Sequence, residues 1–373
     1  MTAARKGAIG LYIESLRLHD FRSYHQLRLA PAAGTTVFVG ENGAGKTNLL
    51  EAVHLCCLGK SHRTGNDRDM IRAGADSAAV QLTVEREDGV HDVGVRLYEA
   101  QRRKKLIYIN GKTAPRIGEL FGHATAVIFS PEDLRTVRDG PEARRHFMDM
   151  LLCQRQRSYF YALQMYTAAL RHRNALLKGE DLRQLDAWDE ELCRAAGPLV
   201  QCRRELAGEL DKCCRDHYLY IGGKDDEVFS VAYRGHLEDS PDVYADMRRG
   251  LERAREEDVR RQTTTFGPHR DDLNLALSGS DMRAFASQGQ VRTAALSMKL
   301  AAFDALEKTQ GEPPLLLLDD VLSELDPERR RRLLGRVRHV QTLLTCTDLS
   351  DLTGADPACV LKVENGTLTE IGG

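Results

Sequence analysis

The chain has 373 residues and no apolar run of the roughly 18 residues or more that a bilayer span requires. No apolar core follows Arg5 and Lys6, so an export signal is not expected and a cytoplasmic protein is. Nine cysteines are scattered without a single Cys-x-x-Cys pair, which excludes a zinc ribbon and suits a reducing compartment. Cys213, Cys214 and His217 stand close together but lack a second ligand cluster. The net charge is only −2, so any anionic polymer must be met by a local patch. Internal repeats, low-complexity tracts and long heptad runs are also missing, which excludes a solenoid and an extended coiled coil.

Against these absences, the pattern of elements is clear. Leu11–Leu18 and Leu27–Leu29 read as strands, and the β-branched run Thr35–Val39 ends in a glycine-rich loop before a helical stretch, Asn48–Leu58. Val80, Leu82, Val84, Val93, Val95 and Leu97 alternate with polar residues, as antiparallel strands do, and Asn110-Gly111 marks a tight turn. Between Glu142 and Gln262 the apolar spacing becomes helical. Strand signals return near Leu273, in Leu315–Leu318 and Gln341–Cys346, and in a closing hairpin around Asn365-Gly366. The expected architecture is an α/β domain split by a mostly helical insertion: residues 1–135 and 285–373 form the first lobe and 136–284 the second.

Three segments carry chemistry. Gly40-Glu41-Asn42-Gly43-Ala44-Gly45-Lys46-Thr47 matches GxxxxGK[ST] in full, after a strand and before a helix. Glycines let backbone N–H groups wrap phosphates, Lys46 reaches the β- and γ-phosphates, and the Thr47 hydroxyl takes a magnesium position. Leu315–Leu318 ends in Asp319 and Asp320, the place where a buried strand delivers a carboxylate to magnesium. Asp319 takes that role, which makes ATP and Mg2+ the expected cofactors. Asp326-Pro327 then opens a helix, Asp as N-cap and Pro in the first turn. The third segment, Ser287-Gln288-Gly289-Gln290, precedes an apolar-periodic helix. It reads either as a helix cap or as a second phosphate reader. Its position shortly before Leu315 favours the second, with recognition across a dimer.

In order and spacing the chain resembles the RecF family of recombination-mediator ATPases, relatives of the SMC heads. Leu16–Tyr24 looks like the shared opening, and Gly40–Asn48 and Ser287–Thr293 match the Walker A and signature motifs. Segments particular to RecF are Phe129–Leu134, Arg144-Arg145 with Asp149, Tyr166 with Leu170, Arg173 and Asn174, and Gly267–Asp272. The resemblance implies an ABC-ATPase head of two lobes, an ATP-dependent homodimer and slow hydrolysis. It also implies binding at single-strand/double-strand boundaries or gaps, cooperation with RecR and RecO in loading a recombinase, and a part in SOS induction. Asp320 stands where ABC ATPases carry a glutamate that polarises water, and its shorter reach is consistent with a weak ATPase. Asp326 falls in the D-loop at the subunit boundary. Arg63 stands where SMC relatives have a nucleotide-touching arginine, and His62 where an aromatic is common. No residue matches the switch histidine of ABC transporters; Thr345-Cys346-Thr347-Asp348 occupies that region.

Two basic runs could meet DNA phosphates. Arg102–Lys105, on an expected hairpin, is the better placed, because helical spacing spreads Arg329–Arg332 around their axis. Neither run is interleaved with aromatics, so sequence-specific readout is not expected.

Overall fold

The structure is a computed structural model that describes residues 10–100, 105–179, 182–352 and 356–372. In chain order the first elements are β1 (Tyr12–Phe21), β2 (Tyr24–Leu29), β3 (Thr35–Val39), α1 (Lys46–Leu58), β4 (Ser77–Arg86), β5 (Gly89–Tyr98), β6 (Leu106–Ile109), β7 (Lys112–Ala114) and β8 (Ala126–Phe129). Then come α2 (Leu134–Arg138), α3 (Pro141–Arg155), α4 (Arg157–Leu177), α5 (Leu185–Ile221), β9 (Phe229–Arg234), α6 (Val243–Arg261), β10 (Asp272–Leu277), β11 (Ser280–Asp281) and α7 (Met282–Phe285). The chain closes with α8 (Gln288–Gln310), β12 (Leu315–Asp319), α9 (Pro327–Arg336), β13 (Thr342–Cys346), β14 (Cys359–Glu364) and β15 (Thr367–Gly372). Two compact units result. Unit 1 comprises Met1–Asp133, Tyr220–Gly222 and Lys299–Gly373; unit 2 comprises Leu134–Leu219 and Gly223–Met298.

Unit 1 holds two six-stranded sheets. The first is antiparallel, in the order β2-β1-β4-β5-β6-β7. In β4 the residues Ala78, Val80, Leu82 and Val84 are buried, so one face is apolar and the alternation in the sequence follows. The second sheet runs β15-β14-β3-β13-β12-β8, parallel from β14 to β8 with β15 as an antiparallel edge. All of β12 is buried, as its unbroken leucine run requires of a strand covered on both faces. Helix α1 packs against both sheets and is buried nearly all round, Glu51 and Lys46 included. The two sheets are also joined by one side chain. Gln341 Oε1 accepts from the Ile13 N–H at 2.6 Å, and its Nε2 donates to the Ile13 carbonyl at 3.2 Å and the Ala32 carbonyl at 2.8 Å.

Unit 2 is mostly helical, but β9, β10 and β11 form a small antiparallel sheet: β10 is where strand signals return near Leu273, and β9 lies in the stretch read as helical. Its interior is ionic as well as apolar. Arg203 donates to Tyr159 Oη at 3.0 Å, to Asp149 at 2.8 Å, to Asp271 at 2.9 Å and to the Pro268 carbonyl at 2.7 Å. Arg173, 0% exposed, donates to Asp189, Asp258 and Thr264. Arg144 grips Asp272 through Nε and Nη2, at 2.6 and 2.9 Å. Asn174 accepts from both the backbone and the hydroxyl of Thr264. Of the residues particular to the RecF pattern, Arg144, Asp149, Arg173, Asn174 and Pro268 to Asp272 thus meet in a network around the Thr264–Asp272 loop, whereas Phe129 to Asp133 lie in unit 1. Arg144 is no solvated cation: it is 5% exposed.

Among the described residues no helix is long and apolar enough to cross a membrane.

Candidate functional site

The phosphate loop joins β3 to α1. Gly45, immediately before the helix, has φ +111°, a left-handed conformation suited to glycine. A Cβ there would also lie 2.6 Å from Ser23 Oγ. The Tyr24 hydroxyl donates to the Gly45 carbonyl at 3.0 Å, and Asn48 Nδ2 donates to Ser23 Oγ at 3.1 Å. The β1–β2 turn therefore braces the loop, which gives Ser23 and Tyr24, at the end of the Leu16–Tyr24 segment, a physical purpose. Gly40 is equally confined, since a Cβ would meet the Val363 carbonyl at 2.5 Å. Glu41, Asn42 and Gly43 are exposed, and Ala44 is half-buried with its N–H donating to the Glu41 carbonyl at 3.2 Å.

Lys46, 6% exposed, donates to the carbonyls of Gly40 and Glu41 at 2.6 and 3.0 Å. Its ammonium is thus held at the loop by neutral acceptors and, among the described residues, pairs with no carboxylate. Thr47 Oγ1 donates to Asp319 Oδ1 at 2.8 Å, joining the first turn of α1 to the end of β12. Thr345, on the intervening strand β13, donates to the same carboxylate oxygen at 2.8 Å and accepts from the Asp320 N–H at 2.9 Å. Burial pushes the Asp319 carboxyl above its ordinary value; the hydroxyls of Thr345 and Thr47 offset part of this, and the Glu132 carboxylate adds to it. A carboxylate so placed favours an additional cation. The donor set of one hydroxyl and one carboxylate suits magnesium, a hard ion that keeps waters and substrate phosphates as its other ligands. Among the described residues no group of three or more His, Cys, Asp or Glu side chains forms a metal cage, so a site here depends on such outside ligands.

Asp320 has φ +53°. A non-glycine residue held there at the end of a strand is a conformation associated with functional turns. Arg63 donates to Asn48 Oδ1 at 3.1 Å and lies 3.6 Å from Glu51, the buried carboxylate that also receives Arg22 and Ser61. Glu51 was not singled out in the sequence; an acid in an apolar helix was its only signal. Thr345 was named only as part of the segment in place of a switch histidine, and its bonds to Asp319 and Asp320 could not be read there. Asp326 caps α9, accepting from the Arg329 N–H at 2.9 Å. The Arg329–Arg332 run is consumed locally: Arg329 pairs with Asp326, Arg331 and Arg332 with Glu328, and Arg330 donates to the Leu322 carbonyl. Of the other basic run, Arg102, Arg103 and Lys104 lie outside the described residues, and Lys105 pairs with Asp67 at 2.7 Å.

The segment Ser287–Gln290 lies in unit 2. Ser287 N–H donates to Gln290 Oε1 at 2.8 Å and the Gln290 N–H to Ser287 Oγ at 3.3 Å, a reciprocal capping box on α8. Ser287 and Gln288 are exposed, and Gly289 is half-buried, its carbonyl accepting from Thr293.

Residues 12–368 match the family described as the RecF/RecN/SMC N terminal domain. The chain is 36% identical over 365 residues to the DNA replication and repair protein RecF of Clostridium perfringens (strain SM101 / Type A), covering 96% of this chain and 99% of the relative. It is 40% identical over 351 residues to that of Symbiobacterium thermophilum, covering 92% and 93%. A solved structure of the recombination mediator protein RecF with ATP, in the RecFOR pathway, superposes with a TM-score of 0.89 at 29% identity, covering 99% of this chain and all of the other. An Smc head domain from Pyrococcus furiosus reaches a TM-score of 0.55 at 17% identity over 97% of this chain and 96% of its own, a likeness of fold.

Proposed function

The chain belongs to the RecF family and has the ABC-ATPase head fold, and from that premise we propose that it serves DNA repair and replication restart as an ATP-driven switch on DNA. The observation that carries the reading is the Thr47–Asp319 contact, which joins the phosphate loop to a buried acid beneath the Lys46 ammonium. The amides of Gly40 to Gly45 cradle the phosphates, and Lys46 exchanges two backbone carbonyls for β- and γ-phosphate oxygens. Thr47 and Asp319 would hold Mg2+, which supplies charge neutralisation at those oxygens. Asp320 orients the attacking water from a shorter stem than glutamate has, so hydrolysis is slow. Asn48 and Arg63 complete the wall of the site.

Ser287, Gln288, Gly289 and Gln290 of one protomer meet the γ-phosphate held by its partner, with Asp326 at the boundary. ATP thereby closes a homodimer on DNA at gaps or single-strand/double-strand boundaries, DNA stimulates the weak ATPase, and hydrolysis opens the dimer. RecR and RecO are its partners in loading a recombinase, with SOS induction downstream, in the cytoplasm.

Sedimentation velocity with ATP, with ADP and without nucleotide tests the switch: only ATP should give the dimer. Ser287→Arg should keep nucleotide affinity and remain monomeric with ATP. If Ser287 only caps α8, the substitution costs about 0.5–2 kcal/mol of stability and dimerisation persists, which removes the trans-phosphate role.

A further inference from the structure

Unit 2 contains a cleft of about 740 Å³ that none of the nucleotide chemistry uses. Its walls are the Gly235–Pro241 loop and one face of α6, where Asp246, Arg249, Gly250, Arg253 and Ala254 recur at helical spacing. Phe266 lies across Gly250, where a Cβ would come within 2.1 Å of its ring. Glycine there lets the aromatic ring sit directly on the helix backbone. The exposed His236 ring stacks on Phe266 with centroids 4.6 Å apart and planes 11° from parallel. His236 Nδ1 accepts from the Gly267 N–H at 3.2 Å, which leaves the ring proton on Nε2. Burial, with Arg270 second, lowers its pKa, so the ring stays neutral near pH 7. A neutral, anchored aromatic is a stacking surface rather than a charge.

Three acids line the cleft: Asp239 is exposed, and the other two are engaged. Glu238 receives the Gly235 N–H and pairs with Arg234; Asp246 receives Ser240 Oγ and pairs with Arg249. Exposed Arg253 makes no hydrogen bond or close ion pair among the described residues, although its charge helps to lower the Asp246 pKa. The cleft therefore offers a flat aromatic surface beside two exposed guanidinium groups, of which Arg249 is shared with Asp246 and would turn from it to a phosphate. That combination fits a ligand unit with one planar ring and one phosphate, the repeating chemistry of an unpaired nucleic-acid strand.

We infer that this cleft binds a nucleotide of single-stranded DNA, its base stacked on His236 and its phosphate against Arg253 and Arg249. The inference rests on the DNA-binding reading above and gives it a contact for the unpaired strand, on residues thirty apart in sequence (His236 and Phe266) that no basic run advertises.

Fluorescence anisotropy of the full-length protein with ATP tests it, using an oligo-dT strand, a gapped duplex and a blunt duplex. His236→Ala should weaken binding to oligo-dT and gapped DNA about tenfold and leave the blunt duplex unchanged, while His236→Phe should retain affinity. Arg253→Glu, at an exposed position, should weaken the same two ligands and lower their logarithmic salt slope by about one. Variants that bind all three DNAs like the wild type, or that lose the blunt duplex equally, would overturn the cleft and leave the function standing. Displacement of oligo-dT by free dTMP at comparable concentration, or preferential displacement by polyglutamate, would also overturn it. A wild-type protein that binds none of the DNAs removes the cleft together with the DNA-binding reading.

Discussion

Each unit buries a carboxylate at its centre, but the two surround it differently. Asp319 in unit 1 has two threonine hydroxyls; Asp271 in unit 2 has the Arg203 guanidinium and the Tyr233 hydroxyl. Burial raises the pKa of both. Hydroxyls satisfy the geometry of Asp319 without cancelling its charge, so a cation still has a place beside it. Arg203 instead places a fixed cation against Asp271 Oδ2, and its own bonds extend to Asp149 and the Pro268 carbonyl. Neutral partners mark a site, and charged partners mark a scaffold. In unit 2, therefore, losing a charge should be felt as lost stability, and in unit 1 as lost activity.

The single tryptophan makes this contrast measurable. Trp188 lies in unit 2, stacked on His172 at 4.4 Å, so its fluorescence reports unfolding there. The largest effect is expected of Arg173→Met, which leaves Asp258 buried without its partner and should remove about 3–5 kcal/mol in urea titrations followed by Trp188. A loss below about 1 kcal/mol would break the comparison at its strongest point. Lys46→Ala should do the reverse: at least about a hundredfold weaker ATP binding by calorimetry, from the loss of charge-assisted bonds, with the Trp188 transition unmoved. Unchanged ATP affinity would refute the phosphate-loop assignment. Asp320→Asn should leave both ATP affinity and folding intact, since asparagine tolerates φ +53°, while turnover falls about a hundredfold. Normal turnover would shift the water-orienting role to another acid, Glu324 first.

Two smaller effects sharpen the contrast. Burial pushes the Asp271 carboxyl from 3.8 to about 6. Between those values the folded state holds a proton that the unfolded chain has released, so this group's contribution to stability is greatest below about pH 4 and declines as pH rises to about 6. Asp271→Asn should flatten that decline in urea midpoints taken across the same window; an identical slope would show that other groups cause it. His62 is the converse case, a ring with neither nitrogen hydrogen-bonded among the described residues and its pKa lowered to about 3, burial being the main cause. His62→Phe keeps the edge contact with His54 and removes the unmatched N–H. It should stabilise unit 1 by about 1 kcal/mol in circular-dichroism melts; destabilisation would mean that the ring nitrogens have a use.

What could be read from the sequence was whatever is local. The Gly40–Thr47 loop, the Leu315–Asp320 strand and the Asp326 cap each need only neighbours along the chain, and each is where its pattern places it. Thr345, Glu51 and the Ser23–Tyr24 brace act across strands and helices far apart in sequence, so no spacing revealed them. The same holds for β9, whose partner β10 lies beyond a whole helix. The arginines at 144, 173 and 203 look like solvent-facing residues of amphipathic helices until the acids that neutralise them are brought in from other elements.

The Gln341 clasp gives one residue an unusual clock. The Ile13 amide, next to the β1 irregularity between Ile13 and Ser15, is held by a side-chain carbonyl of another sheet, whereas its strand neighbours are held by backbone. Its exchange with deuterium therefore reports release of the Gln341 amide, and with it the loosening of the two sheets around α1, rather than fraying of the β1–β4 ladder.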